Sequence, residues 1–212
     1  VAQAAMDSGV AKRPIANMDA YRQKLDQFIF RTGLMMKPVF DAARHEPKRV
    51  VFAEGEEETM LRAVQAIVDE GFAKPILIGR PAVIEQRIAR LGLWIKPGEH
   101  FTITNIDSDP RFNDYWQHYH RIMERRGVNP ATAKAVVRSR GTVIGALMVE
   151  RGEADAMIGG TVGRLQRKLQ YCQDIVGLEG DIEAPAAMSA VACDRGTFFF
   201  LGFLIWWYGN TS

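Results

Sequence analysis

Hydrophobic positions along this chain shift repeatedly between a helical period and short apolar runs, and each shift marks an expected element. Residues 1 to 8 are Ala-rich and favour a helix, which Ser8-Gly9 and Lys12-Arg13-Pro14 bring to an end. From Met18 to Arg31, Tyr21, Leu25, Phe28 and Ile29 recur at helical spacing before Gly33 interrupts, which predicts an amphipathic packing helix. Pro38 to His45 reads as a short helix, with a proline tolerated in its first turn and Pro47 closing the segment.

From there strands and helices alternate. Arg49 to Ala53 is a short β-branched run, Glu56 to Glu70 is helical and closed by Gly71, and Pro75 to Ile78 is the next strand. A helix over Pro81 to Leu91 and a strand over Phe101 to Ile106 follow. Asp109-Pro110 then opens a polar helix over Arg111 to Arg126, ended by Gly127. Asn129-Pro130 repeats the opening signal for a helix to Ser139, and another helix covers Thr142 to Arg151. The compact strand Asp155 to Ile158 runs into Gly159-Gly160. A helix over Arg164 to Val176 leads to strands near Met188 to Ala192 and from Thr197 onward. Short apolar strands separated by helices specify an α/β fold: a doubly wound, mostly parallel sheet with helices on both faces, in three layers.

Composition narrows the function classes without changing this architecture. With 212 residues, 47% hydrophobic and 25% charged, the chain is long and apolar enough to bury a substantial core. A net charge of +2 without a basic stripe gives no nucleic-acid footprint. The longest apolar run, Phe198 to Tyr208, has eleven residues, whereas a membrane-spanning helix needs about 20. No membrane association is expected. Cys172 and Cys193 lack both a CxxC pairing and a histidine at ligand spacing, which argues against zinc and a disulfide framework and fits a reduced, cytoplasmic setting.

Two segments carry candidate chemistry. Gly159-Gly160-Thr161-Val162-Gly163-Arg164 lies between a strand and a helix, where open α/β sheets bind their ligands. Glycines let backbone N–H groups approach an anion, the following helix adds its positive N-terminal field, and Arg164 supplies a counter-charge. A tight turn with no ligand accounts for the same glycines, and both readings stay open. Arg167 and Lys168 belong either to that basic surface or to a solvated helix face. Glu54-Gly55-Glu56-Glu57-Glu58 gathers carboxylates at the start of a helix, where complementing the helix dipole explains them. Glu54, at the carboxyl end of a strand, is the member placed to face a cleft. His118 and His120 flank Tyr119 at a spacing that sends them to different helix faces. Tyr115, Trp116, Tyr119, Ile122 and Met123 read as a packing surface against the sheet or another subunit. No Gly-x-Ser-x-Gly elbow or activated cysteine is present, so no catalytic nucleophile and no metal ligands are assigned.

Two stretches together resemble one family. VAQAAMDSGVAKRPI resembles the closing segment of a bacterial malic-enzyme domain, and KRVVFAEGEEETMLRAVQAIVDEGFAKPILIGRP resembles the opening strand, helix and strand of phosphotransacetylases. GALMVERGEADAMIGGTVGR and APAAMSAV continue the second likeness, and the order is that of the hybrid malic enzymes. The resemblance implies three segments. Residues 1–16 would close a malic-enzyme NAD(P)-binding domain, residues 17–198 would be the N-terminal part of a phosphotransacetylase-like domain, and residues 199–212 would be an anomalous apolar tail. On this expectation the sheet is truncated and the chain is a fragment, with no complete active site and no cofactor of its own. The parent would use NADP and a divalent Mg or Mn ion to oxidise and decarboxylate malate.

The family's transferases carry a pattern like S-G-A-x-H-T-T-x-D-T-x-R-P after the equivalent strand, where this chain reads GGTVGRLQRKLQ. Gly159 stands at the position of the Ser and Gly163 at that of the His. The resemblance therefore implies a regulatory module that binds acetyl-CoA or another acyl-CoA and assembles homo-oligomers. Gly159, Gly160, Thr161, Gly163 and Arg164 form its candidate ligand loop, and Glu54 is a possible further cleft residue. An active phosphate acetyltransferase and a purely structural dimerisation module are the alternatives.

Overall fold

The computed structural model describes residues 36–180, 182, 185–193 and 196–203, with isolated positions 6, 8, 9, 15, 17, 18 and 21 before them. The chain forms two compact units, Phe40–Glu183 and a second one composed of Val1–Val39 and Ala184–Ser212. The expected junction at residue 16 and most of the helix expected over Met18 to Arg31 fall outside the described residues.

In the larger unit, strands β1 (Lys48–Phe52), β2 (Ala73–Ile78), β3 (Thr102–Thr104) and β4 (Ala156–Ile158) form one sheet in the order β3-β2-β1-β4. Every pairing is parallel. The helices are α1 (residues 36–45), α2 (Glu58–Glu70), α3 (Pro81–Leu91), α4 (Phe112–Met123), α5 (Pro130–Ser139), α6 (Gly141–Glu150) and α7 (Leu165–Ile175). A 3-10 turn over Glu124–Arg126 follows α4.

Alternation along the strands sorts side chains between two cores, because successive residues of a strand point to opposite faces. Val51 and Ile78 join Tyr115, Tyr119, Val137, Ile144 and Leu147 on the side of α4 to α7. Phe52 and Leu77 join Met60, Leu61, Val64, Ile84 and Ile88 on the side of α2 and α3. Helices thus cover both faces, and the three-layer αβα arrangement expected from the sequence is present. Side chains as fully buried as Phe52, Leu61 and Leu77 contribute about 1.5–3 kcal/mol each. At the edge of the second core, Phe40 of α1 stacks on Phe72 with ring centroids 4.7 Å apart.

Local signals set several boundaries, and tertiary contacts move others. The Asn129 side chain accepts a hydrogen bond from Thr132 N at 2.8 Å, capping α5 as its sequence predicts. Asp109 does not cap α4. Its carboxylate accepts from Arg111 N at 2.8 Å and from the Arg111 guanidinium, which holds a turn and delays the helix to Phe112. The helix expected to reach Arg126 leaves α geometry after Met123.

In the other unit, β5 (Ala186–Cys193) and β6 (Gly196–Phe203) pair antiparallel as a hairpin. The expected strands are present, but they form their own two-stranded sheet instead of extending the parallel one. Residues 199–203 of the supposed apolar tail belong to β6, and residues 204–212 lie outside the described residues. Phe199 and Phe200 are each 62% exposed, so these two residues are paired through their backbone while their rings stay unburied.

Candidate functional site

The chain passes outward from β1 through β2 to β3, then returns to place β4 on the other side of β1. The loops after β1 and β4 therefore diverge at the carboxyl ends of adjacent strands, which is the switch point where open α/β sheets hold ligands. Gly141 is what lets α6 come so close. A Cβ there would lie 2.2 Å from the Ala53 carbonyl oxygen, so the first turn of α6 rests directly on the end of β1.

A cavity of about 600 Å3 opens at this point, lined by Ala53, Glu54, the Ser139-Arg140-Gly141-Thr142 junction of α5 and α6, and Val162 to Arg164. Arg167, Lys168 and Tyr171 of α7 complete the wall. Four cationic side chains face it against the single carboxylate of Glu54. Among the described residues, no carboxylate pairs with the guanidinium groups of Arg140, Arg164 or Arg167. The first turns of α6 and α7 add their unsatisfied N–H groups and positive dipole ends. Such a wall is chemically suited to pair with a multiply charged anion, for which arginine offers paired donors in fixed geometry.

Glu54 and the glycine loop, named separately from the sequence, come together. Glu54 Oε2 accepts hydrogen bonds from Gly160 N at 2.9 Å, Thr161 N at 3.1 Å and Thr161 Oγ1 at 3.0 Å. Its other oxygen forms an ion pair with Lys168 Nζ and has no aligned hydrogen bond among the described residues. Burial lowers the Lys168 pKa from the ordinary lysine value, while the adjoining carboxylate opposes that shift by favouring the ammonium. Gly160 and Gly163 adopt φ of 117° and 86°, the left-handed region that side chains avoid. The loop is thus a tight turn whose amides already hold an anion, and that anion is internal. Gly159 contributes close approach, since a Cβ there would stand 3.2 Å from Ala53 Cβ.

The remaining acidic residues after β1 have other partners. Glu56 takes Arg80 Nε and Nη2, each at 2.8 Å, and hydrogen bonding from Arg80 lowers its pKa despite partial burial. Glu57 and Glu58 form ion pairs with Arg87 and Arg90 of α3. Cross-linking of α2 to α3 and the loop before it therefore explains these carboxylates better than dipole complementation. A second cavity of about 340 Å3 takes Glu54, Glu56, Glu57 and Asp107 into its lining, so Glu54 belongs to both cavity walls.

His118 and His120 diverge as their spacing predicts, His118 Nε2 lying 2.7 Å from Glu150 and His120 3.9 Å from Glu124. Among the described residues no three His, Cys, Asp or Glu side chains converge on a metal-sized site. Cys172 is a half-buried free thiol whose pKa burial raises, away from thiolate reactivity. Tyr115 is likewise held neutral, by burial first and then by its 2.6 Å hydrogen bond to Glu153. Trp116 is partly buried under Lys134, whose Nζ stands 4.3 Å from the ring centroid. Arg140, Ser139, Thr142 and Tyr171 had not been singled out from the sequence. A basic residue between a hydroxyl and a glycine at a helix–helix junction was their available signal.

Parallel strands covered by helices on both faces, with a cationic cleft at the carboxyl ends of β1 and β4, define an open αβα domain. Comparison with known proteins makes the assignment specific: the family model "Phosphate acetyl/butaryl transferase" matches residues 34–202, and the chain belongs to that family. It is 51% identical over 199 residues to the NADP-dependent malic enzyme of Salmonella typhimurium, covering 94% of this chain and 26% of that protein. It is 50% identical over 201 residues to the NAD-dependent malic enzyme of Rhizobium meliloti, with the same two coverages, 94% and 26%. The chain thus spans about a quarter of the length of the curated relatives it matches. This is the likeness expected of the phosphotransacetylase-like part of a malic enzyme. A phosphotransacetylase from Streptococcus pyogenes superposes with a TM-score of 0.66 at 18% identity, covering 78% of this chain and 50% of that one, a likeness of fold.

Proposed function

We propose that this chain is the acetyl-CoA-sensing and oligomerising part of a cytoplasmic NADP-dependent malic enzyme. The observation that carries the reading is the cleft of Arg140, Arg164 and Arg167, whose guanidinium groups have no carboxylate partner among the described residues. Coenzyme A presents phosphate groups, and these arginines would bind them while the helix N-termini add their field. The high identity to malic enzymes supplies the parent. In that parent NADP and a Mg or Mn ion would serve malate oxidation. Ligand binding to the cleft would alter malate turnover by stabilising one arrangement of the assembly over another.

Deleting residues 17–212 from the intact enzyme tests this reading. Acetyl-CoA inhibition of malate oxidation is expected to disappear, and inhibition unchanged from the parent would overturn the proposal. An active phosphate acetyltransferase is the second reading, favoured by the family match over residues 34–202. Formation of acetyl phosphate from acetyl-CoA and phosphate by the intact protein supports it, and no turnover above buffer removes it.

A further inference from the structure

The donors that hold Glu54 are of the kind that hold phosphate. Two backbone N–H groups and a hydroxyl converge on one carboxylate oxygen within 3.1 Å, and an ammonium group meets the other. Glu54 and Lys168 line the 600 Å3 cavity together with Gly163, Arg164 and Arg167, while Gly160 and Thr161 hold Glu54 from outside that lining. The Glu54 side chain is 13% exposed and Lys168 18%, so little solvent weakens the carboxylate charge, which Lys168 balances at its other oxygen. An anion arriving beside the arginines meets that charge before it meets the loop amides.

We propose that Glu54 is a resident anion in this cradle, and that a phosphoryl group of the ligand enters the cradle by displacing it. This rests on the cleft being an anionic-ligand site, as proposed above. Displacement is favoured because a phosphoryl group brings more charge and more acceptor oxygens than a carboxylate to the same donors. Glu54 also has somewhere to go, since its side chain lines the adjoining 340 Å3 cavity. The ligand class is a phosphate monoester or diphosphate, supplied by coenzyme A or by free phosphate. Glu54 then sets an affinity threshold, rejecting weakly charged carboxylates and admitting phosphoryl groups.

Calorimetric titration of the intact protein and its E54Q variant with inorganic pyrophosphate, acetyl-CoA and acetyl-pantetheine tests this. E54Q is expected to bind pyrophosphate and acetyl-CoA at least tenfold tighter than the parent, with no gain for acetyl-pantetheine, and Lys168→Met is expected to erase the gain. A gain for pyrophosphate alone places free phosphate in the cradle, and a gain for both places the phosphates of coenzyme A there. Affinity for both phosphoryl probes equal to or weaker than the parent's, in E54Q with a native melting curve, overturns the proposal and makes Glu54 a structural brace. A crystal structure of the unaltered protein with pyrophosphate decides the matter without a variant. A phosphate on Gly160 N and Thr161 N with Glu54 turned away supports displacement, and pyrophosphate on the arginines with Glu54 unmoved overturns it while leaving the cleft's function intact. No binding of either phosphoryl probe to either protein removes both proposals.

Discussion

Strands β1 and β4 are tied together at both ends, and the two ties differ in kind. At their amino ends, Arg49 grips Asp155 through its backbone N–H at 2.8 Å and its guanidinium at 2.7 and 3.2 Å, with side chains 44% and 36% exposed. At their carboxyl ends, Glu54 grips the loop after β4 and Lys168 with side chains 13% and 18% exposed. Water solvates the first pair whether or not it forms, so little is lost when it breaks. The second has given up hydration, so its ions depend on each other. A fold that needed only to fasten two strands could use the exposed arrangement twice. The costlier tie stands where the cleft is, consistent with a charge kept there for function.

Changes at the two ends should separate in size, beginning with the tightest point. Gly141→Ala puts a methyl group 2.2 Å from the Ala53 carbonyl oxygen, and forcing α6 off β1 should cost on the order of 3 kcal/mol. A urea melt would read this. Glu54→Ala leaves Lys168 half-sheltered without its partner and the Gly160 amide without its acceptor. That loss should be about 2 kcal/mol, below a fully buried pair because some solvent reaches both groups. Arg49→Ala should cost less than either. Its effect should shrink further in molar salt, whereas that of Glu54→Ala should persist. Equal losses in the two ties would break the distinction drawn between them.

Acid should release the exposed tie in a defined window. Hydrogen bonding from Arg49 depresses the Asp155 pKa from 3.8 to about 2. The folded state therefore favours the ionised form, and the contribution is fully present above pH 3.8 and lost as pH falls through about 2. Asp155→Asn should be less stable than the parent at neutral pH and should converge with it near the lower limit. The smallest stability effects should come from Arg164→Ala and Arg167→Ala, whose exposed side chains have no ion-pair partner among the described residues. These should leave the melt unchanged and act on ligand affinity alone.

What could be read along the chain was what is local. Asn129-Pro130 announced α5 because cap and helix are neighbours, and the short apolar runs over Arg49 to Ala53 and Pro75 to Ile78 announced strands covered by helices on both faces. Asp109-Pro110 misled for the same reason, since the Asp109 carboxylate satisfies Arg111 instead of a helix turn. The site was half legible. Glu54 and the glycine loop were visible as candidates, but the bond between Glu54 and Gly160 spans 106 residues and follows only from β4 pairing beside β1. That pairing also turns the loop from an empty anion cradle into an occupied one. Arg140 was missed because its neighbours Ser139 and Gly141 read as a break between helices, and the fold makes that break a wall of the cleft.

The basic wall at the carboxyl ends of β1 and β4 is expected to bind an acyl-CoA. Titration of acetyl-CoA into the intact protein and into a variant with Arg140, Arg164 and Arg167 all changed to Ala addresses it directly. Saturable binding by the parent, weakened at least tenfold in the variant with its melting curve preserved, is the predicted result; equal affinity in the two proteins would contradict it.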